Sequence, residues 1–338
     1  MPLVVDRNAV CDTYAWAAEQ RWVMPGFGTE SQTTTEALLA AALEHANRIG
    51  VPNMPVIVSV TNLYTGRTQT VNYTRTKRWD IGLRMFMSNL EVLTAPGSPF
   101  EKLRVMAHLD HIQHDIDEEL LAWDMRQFSS IMYDASELPF EQNMEATARF
   151  VDAHKHEIFI EGACDEIAEA TGDQRNDLTT PERAAEYFQR TGADIIVANL
   201  GTEHRASAST LQYHGEMARQ VRDLVGTRMC LHGVSSVPPE QIEHLFDDGV
   251  CKANIWTMLE RDSTPVLFRD MAQHAAKVAG PKVAKELAEQ GILGPKADVT
   301  SASSLQYFTH VHRETIAFDE IKRLAGQFFA LWYRRDEA

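Results

Sequence analysis

Eight short apolar runs, each followed by a segment with helical periodicity, constrain this 338-residue chain more than any other feature of its sequence. They fall at 23–27, 55–60, 103–110, 130–134, 157–161, 194–200, 229–232 and 250–255. Most have no alternating polar face, the pattern of parallel strands covered on both sides, and their alternation with helices predicts an α/β fold with a parallel sheet. The helix signals between them are local and physical. At 33–49, TTTEALLAAALEHANRI opens on threonine caps and places Leu38, Leu39, Ala42 and Leu43 on one stripe. Thr180 followed by Pro181, and Val237 followed by Pro238 and Pro239, supply a cap and a proline where a first helical turn tolerates one. A doubly wound open sheet would show the same alternation, but no GxGxxG follows the first run. The expected architecture is therefore a closed (β/α)8 TIM barrel forming a single domain over 1–338.

Two segments exceed the basic pattern. The stretch 65–99 is polar, then helical, and longer than an ordinary connection, which suggests a hairpin or a lid. Beyond the eighth run, helical stretches at about 259–290 and 304–334 form a C-terminal extension at about 259–338, placed to pack across the barrel or against another subunit.

The formal charge of −16, with no basic run longer than Arg334-Arg335, argues against nucleic acid as a partner. Cys11, Cys164, Cys230 and Cys251 have no metal-binding or redox spacing and read as buried free thiols. No targeting segment or membrane span is legible, so a cytoplasmic location without membrane association is expected.

In a barrel of this kind chemistry sits at the C-terminal ends of the strands, and here those ends are polar. The third run closes on His108-Leu109-Asp110-His111, the fifth on Glu161, the seventh on His232-Gly233 and the eighth on Asn254, while the sixth leads into Glu203-His204. A single histidine there is more often the start of a loop than a ligand. Repetition on several strands is harder to dismiss, because such groups are expensive to bury unpaired. Imidazoles at His111, His204 and His232 could hold a catalytic zinc and leave a position open for substrate, although their spacing matches no local metal motif.

Several of these segments, in this order, resemble the class II fructose-bisphosphate aldolases and their relatives acting on tagatose bisphosphate and similar ketose phosphates. HLDH at 108–111 resembles the family's HLDHG, and SSIMYDASELPFEQNMEAT from Ser129 is similar to its SVMIDGSHLPFEENI signature. TTPERAAEYFQRTGADIIVANLGTEH from Thr179, LHGVSS at 231–236 and CKANIWT at 251–257 are similar to TDPEEAKEFVEKTGVDALAVAIGTSH, LHGGSG and CKINIDT. The likeness runs from about Val23 to about Thr257. It implies one Zn2+, or another divalent metal ion, per subunit on His111, His204 and His232, with Asp110 exchanging a proton with a substrate hydroxyl. It also implies that Gly233, Ser235, Asn254 and Thr257 meet the substrate, that Glu161 handles a proton or orients a ligand, and that His108 and His114 flank the site in orienting roles. The reaction it implies makes or breaks a carbon–carbon bond beside a ketone through a metal-stabilised enediolate.

Departures from the family's pattern point to a changed substrate. Ile112 and Arg205 stand where glycines follow the first and second ligands, Val234 replaces a glycine, and Trp256 replaces an aspartate. Arg205 either fills the pocket or offers its fork to a carboxylate or phosphate, and Trp256 narrows or caps the pocket. Ala163 occupies the place of a second glutamate, and Asp165, Glu166 and Glu169 are candidate replacements for a mobile acid or, more simply, a solvated helix face. The expected activity is that of a class II aldolase-type lyase on a ketose or keto-acid, phosphorylated or not, other than fructose 1,6-bisphosphate, in a homodimer or homotetramer. The alternatives are a metal-dependent epimerase or isomerase using the same enediolate, and a non-catalytic aldolase-like subunit.

Overall fold

The computed structural model describes residues 3–166, 178–202 and 212–334, apart from the side chain of Ser236. Eight parallel strands close into a barrel in sequence order: β1 Met24–Gly28, β2 Pro55–Thr61, β3 Arg104–Gln113, β4 Ser130–Asp134, β5 Phe159–Ala163, β6 Ile195–Val197, β7 Met229–Leu231 and β8 Val250–Ile255. Closure comes from β8 lying beside β1, with Gly26 opposite Asn254 and Phe27 opposite Ile255. All eight expected runs become strands. β4 and β8 match their runs, β5 starts two residues later than its run, and β6 is much shorter than the apolar run at 194–200. Ala198 to Leu200 are buried but leave the ladder as the chain turns into the next loop.

β3 extends past Asp110 to Gln113, with a register irregularity against β4 between Leu109 and Ile112. Such an irregularity locally re-aims side chains at a strand end. His111 sits there with φ at 49°, in the left-handed region that non-glycine residues seldom occupy.

The helix Gln32–Ile49 is capped by Ser31, whose hydroxyl accepts from Thr34 N at 3.1 Å, so its cap precedes the threonines expected to serve. The Thr180 cap of Pro181–Thr191 is as the sequence suggests, with its hydroxyl accepting from Arg183 N at 3.2 Å. The segment 65–99 forms two helices, Gln69–Tyr73 and Trp79–Leu93, and no hairpin.

The N-terminal helix Arg7–Glu19 reaches the start of β5, where Tyr14 stacks on Phe159 at 4.3 Å and Arg7 pairs with Asp194 at 2.6 Å. It thereby covers part of the barrel's N-terminal end. The final helix, His310–Trp332, packs along Gln32–Ile49 and the outer side of β1, where Phe329 meets Phe27 at 5.3 Å. Tyr333 then stacks on Trp22 at 4.5 Å and donates to the Pro55 carbonyl at 3.1 Å. Each buried aromatic here contributes about 1.5–3 kcal/mol of transfer free energy, which ties the end of the described chain to the first two strands. Cys164, Cys230 and Cys251 are buried, whereas Cys11 is half-buried beside Arg7. Among the described residues no helix is long and apolar enough to cross a membrane.

Candidate active site

Residues from β3, β4, β5, β7 and β8 meet inside the C-terminal half of the barrel. The bare α-carbons of β1 make room for them. A Cβ on Gly26 would lie 2.7 Å from Asn254 Oδ1 and 3.2 Å from Lys252 Cε, so glycine there lets both β8 side chains reach the axis.

At the centre, His111 Nε2 faces His232 Nδ1 at 3.1 Å. The far nitrogen of each ring meets a carboxylate: His111 Nδ1 lies 2.9 Å from Asp134 Oδ2, and His232 Nε2 lies 3.1 Å from Glu161 Oε1. Both acids are held ionised. Burial works against the charge of Asp134, but its hydrogen bonds to His111 and Ser136 prevail and lower its pKa. For Glu161 the opposing burial is outweighed by Lys252, His232 and His108. An ionised carboxylate can only accept, so the ring protons are assigned to His111 Nδ1 and His232 Nε2. Asn254 Nδ2 also lies 3.3 Å from His232 Nε2, but its shorter contact is with Asp110 Oδ1 at 2.9 Å. The two facing nitrogens therefore both present lone pairs, an arrangement that suits a cation between them.

The spacing of this pair is compatible with a zinc ion. Nitrogens bound tetrahedrally at about 2.0–2.1 Å from a zinc ion stand about 3.3 Å apart, close to the separation found here. One donor atom each from Asp110, His111 and His232 lies within 4.8 Å of the others. Carboxylates behind ligating imidazoles are the usual means of fixing their tautomer and orientation. Tyr64 stacks on the His111 ring at 4.4 Å, which helps to hold the left-handed backbone at that residue. A conformation of this kind costs about 1–3 kcal/mol and persists where surroundings impose it.

Asp110, almost wholly buried, accepts from Asn254 Nδ2 through Oδ1 and from Arg67 Nη2 at 2.8 Å through Oδ2. Burial would raise its pKa, but Arg67 and the neighbouring histidines outweigh that and hold the carboxyl well below the usual carboxylate range. Behind it, the Lys252 ammonium lies 2.7 Å from Glu161 Oε2 and 3.0 Å from His108 Nε2. Burial together with Lys252 pushes the His108 pKa down to about 3, leaving a neutral ring whose Nδ1 meets Ser130 Oγ at 2.8 Å. Burial opposes the charge on Lys252 as well; Cys230, Glu161 and Asp110 outweigh it and raise its pKa. Because burial also keeps the Cys230 thiol neutral, the two carboxylates do that work at ordinary pH.

A family model described as fructose-bisphosphate aldolase class-II matches residues 8–302. The chain belongs to the class II fructose-bisphosphate aldolase family. Its fold is similar to that of a fructose-bisphosphate aldolase from Campylobacter jejuni, with a TM-score of 0.74 and 17% identity over 98% of this chain and 95% of the other. It is also similar to the YdjI aldolase from Escherichia coli K12, with a TM-score of 0.63 and 20% identity over 97% of each chain. At such identities the structural likeness shows a shared fold, and the family match carries the membership.

Within this family member, the remaining expected site residues are distributed unevenly. Gly233, with φ at 71°, comes after His232 beyond the end of β7 and caps the short turn Val234–Ser236 that carries Ser235. Trp256 and Thr257 follow β8, and Thr257 opens the helix Thr257–Gln273. His114 is partly exposed, with its ring 3.9 Å from Asp115 and its backbone N–H donating to the Asp134 carbonyl at 3.0 Å. His204, Arg205 and Glu169 lie outside the described residues. Asp165 is bound to Thr179 at 2.6 Å and to Arg183, while Glu166 shares a narrow cleft with Tyr64, His111 and Asp134.

Four contributors were not singled out from the sequence: Tyr64, Arg67, Asp134 and Lys252. Asp134 closes the fourth apolar run and Lys252 interrupts the eighth, and a charge inside a fully covered strand is a usable signal. Tyr64 and Arg67 carried no such signal, because they lie on a connection. That connection is tethered by Thr61 N donating to Gln69 Oε1 at 2.8 Å, by the Thr61 hydroxyl donating to the Arg67 carbonyl, and by Asn62 Nδ2 donating to Asp117 at 2.8 Å.

Proposed function

We propose that the protein is a zinc-dependent aldolase-type lyase that makes or breaks a carbon–carbon bond beside a ketone, in a ketose or keto-acid other than fructose 1,6-bisphosphate. The observation that carries this reading is the facing pair His111 Nε2 and His232 Nδ1, each ring backed by a carboxylate and adjoined by the ionised Asp110. His111 and His232 would hold the ion, with His204 as the third ligand implied by the family resemblance.

A zinc ion bound there supplies Lewis-acid polarisation of the substrate ketone. Asp110 accepts the proton of the hydroxyl on the carbon being released; the oxygen's electron pair forms the new carbonyl, and the breaking bond's pair passes to the ketone-bearing fragment. In the synthetic direction Asp110 returns that proton. Arg67 and Asn254 hold one carboxylate oxygen each, and each oxygen keeps a second lone pair for the substrate. Glu161 orients His232, and Lys252 offsets the charge of Glu161. Support for an altered substrate comes from Trp256, whose Cβ stands 3.0 Å from the place a Gly28 Cβ would occupy and so crowds the mouth between β8 and β1. Self-association as a homodimer or homotetramer belongs to the same reading, supported by exposed Phe268 and Val311 on the C-terminal helices.

The test combines metal analysis with product analysis. Asp110→Asn should lower cleavage by about 10²–10⁴-fold, the usual worth of a general base, without changing zinc content. Unchanged turnover refutes the role of Asp110. Epimerised substrate without two carbonyl fragments would make the enzyme an isomerase, and purified protein without zinc would favour a non-catalytic subunit.

A further inference from the structure

Three N–H groups at the mouth of the barrel are buried without a hydrogen-bond partner among the described residues: Arg67 Nε, Gln69 Nε2 and Trp256 Nε1. They belong to one neighbourhood. A Cβ on Gly28 would touch Gln69 Nε2 at 2.9 Å and Trp256 Cδ1, the carbon bonded to Nε1, at 3.1 Å. The Arg67 guanidinium carbon lies 5.6 Å from the centre of the Trp256 ring. Gly28 lies two residues beyond Gly26 on β1, on the same face, and Gly26 looks at Lys252 and Asn254 inside the barrel. The donors are therefore grouped above β1 and β8, on the side of the site where Arg67 reaches Asp110.

Their burial is firm. The Arg67 side chain is 9% exposed, and Gln69 is 1% exposed as a whole residue. The Gln69 amide cannot be turned to relieve its nitrogen, because its oxygen already accepts the Thr61 N–H at 2.8 Å. All three groups can donate and none can accept. A buried donor without an acceptor loses its hydration for nothing, so three together call for a ligand made of acceptors. The guanidinium adds a full positive charge and a forked geometry that fits anionic oxygens, and its five N–H groups allow it to keep Asp110 while binding a second partner.

We propose that Arg67, Gln69 and Trp256 form a subsite for an anionic, oxygen-bearing group of the substrate, a carboxylate or a phosphate. Naming the ligand as substrate rests on the aldolase reading; the anion subsite itself does not. The subsite holds the anionic group beside Asp110, and Trp256 acts as a donor as well as a wall. Residue Arg205, outside the described residues, is not needed for it.

The test is equilibrium binding without turnover. Pyruvate, inorganic phosphate and the neutral analogue pyruvamide are titrated by calorimetry into the protein as purified and after dialysis against a chelator, which separates direct binding to metal from binding to the subsite. At least one anion should bind both preparations, and the one that does identifies the group. Arg67→Met should weaken it at least tenfold, and Trp256→Phe, which keeps a ring and removes the N–H, severalfold; pyruvamide should be insensitive to both. If Arg67→Met does not fold, Trp256→Phe alone decides. Wild-type affinity in the folded variants, or no anion binding by the unaltered protein at millimolar concentrations, overturns the proposal. Loss of the aldolase reading would appear differently, as Arg67-dependent anion binding without carbon–carbon bond chemistry on any substrate.

Discussion

Replacing Lys252 by methionine isolates the energetics of the charged centre. Lys252 and Glu161 are both essentially solvent-free, with 0% and 1% of their side chains exposed and 2.7 Å between Nζ and Oε2. Methionine has nearly the shape of the lysine stem, so the packing loss is small and the main effect is a buried Glu161 carboxylate stripped of its counter-charge. Removing one partner of such a pair typically costs about 3–5 kcal/mol. With an unfolding entropy of about 2.1 cal/mol/K per residue, a chain of 338 residues loses about 0.7 kcal/mol of stability per degree near its midpoint. The variant should therefore melt about 4–7 °C lower. Glu161→Gln in the same chain removes the stranded charge while leaving an amide oxygen to accept from His232, and the double variant should recover most of the loss. Thermal unfolding followed by circular dichroism, on chelator-treated protein so that metal affinity does not enter, measures all three. Additive losses in the double variant would mean that the two side chains do not stabilise one another, and the ionic reading of the barrel centre would fall.

Gly26→Ala should reduce turnover at least tenfold with only a moderate fall in melting temperature, since its methyl would displace Asn254 Oδ1 and with it the Asp110 contact; steady-state kinetics with full activity would refute this. Burial together with the nearby Glu30 pushes the Glu260 carboxyl up to about 7. A carboxyl whose folded pKa is raised binds more protons folded than unfolded, so stability falls as pH rises from about 4.5 to about 7 and stays reduced above that. Glu260→Gln should accordingly raise the melting temperature at pH 8 and have little effect at pH 4.5, and an equal effect at both would refute the assignment. Zinc at a hundredfold excess over its dissociation constant should stabilise the chelated protein by about 2.7 kcal/mol, and His111→Ala should abolish most of that gain; an unaltered zinc-induced shift in the variant would exclude His111 as a ligand.

Much of the barrel was legible because strand identity here is a local matter. A strand covered on both faces needs several consecutive apolar residues, and Ile131, Met132 and Tyr133 satisfy that within the few positions of β4. The strand-end histidines and Asp110 were legible for a related reason: polar groups closing an apolar run stand out whatever they later touch. The segment after β2 was different. Its residues look like an ordinary polar connection, yet Arg67 ends up on Asp110 and Tyr64 on His111, because backbone tethers to Thr61 and Asp117 fold the connection over the mouth. No pattern within that stretch encodes contacts to a strand more than forty residues away.

The sequence by itself determined the alternation of strand and helix, the end of the barrel where chemistry belongs and the presence of histidines at that end, since each of these follows from hydrophobicity over a short window. Tertiary structure alone decided which ring nitrogens face each other, which carboxylates stand behind them, and that a buried lysine balances Glu161. These are properties of distances between strands brought together by closure of the barrel. Tautomer, charge state and donor geometry depend on partners that are remote in the chain, and they exist only once β1 and β8 meet.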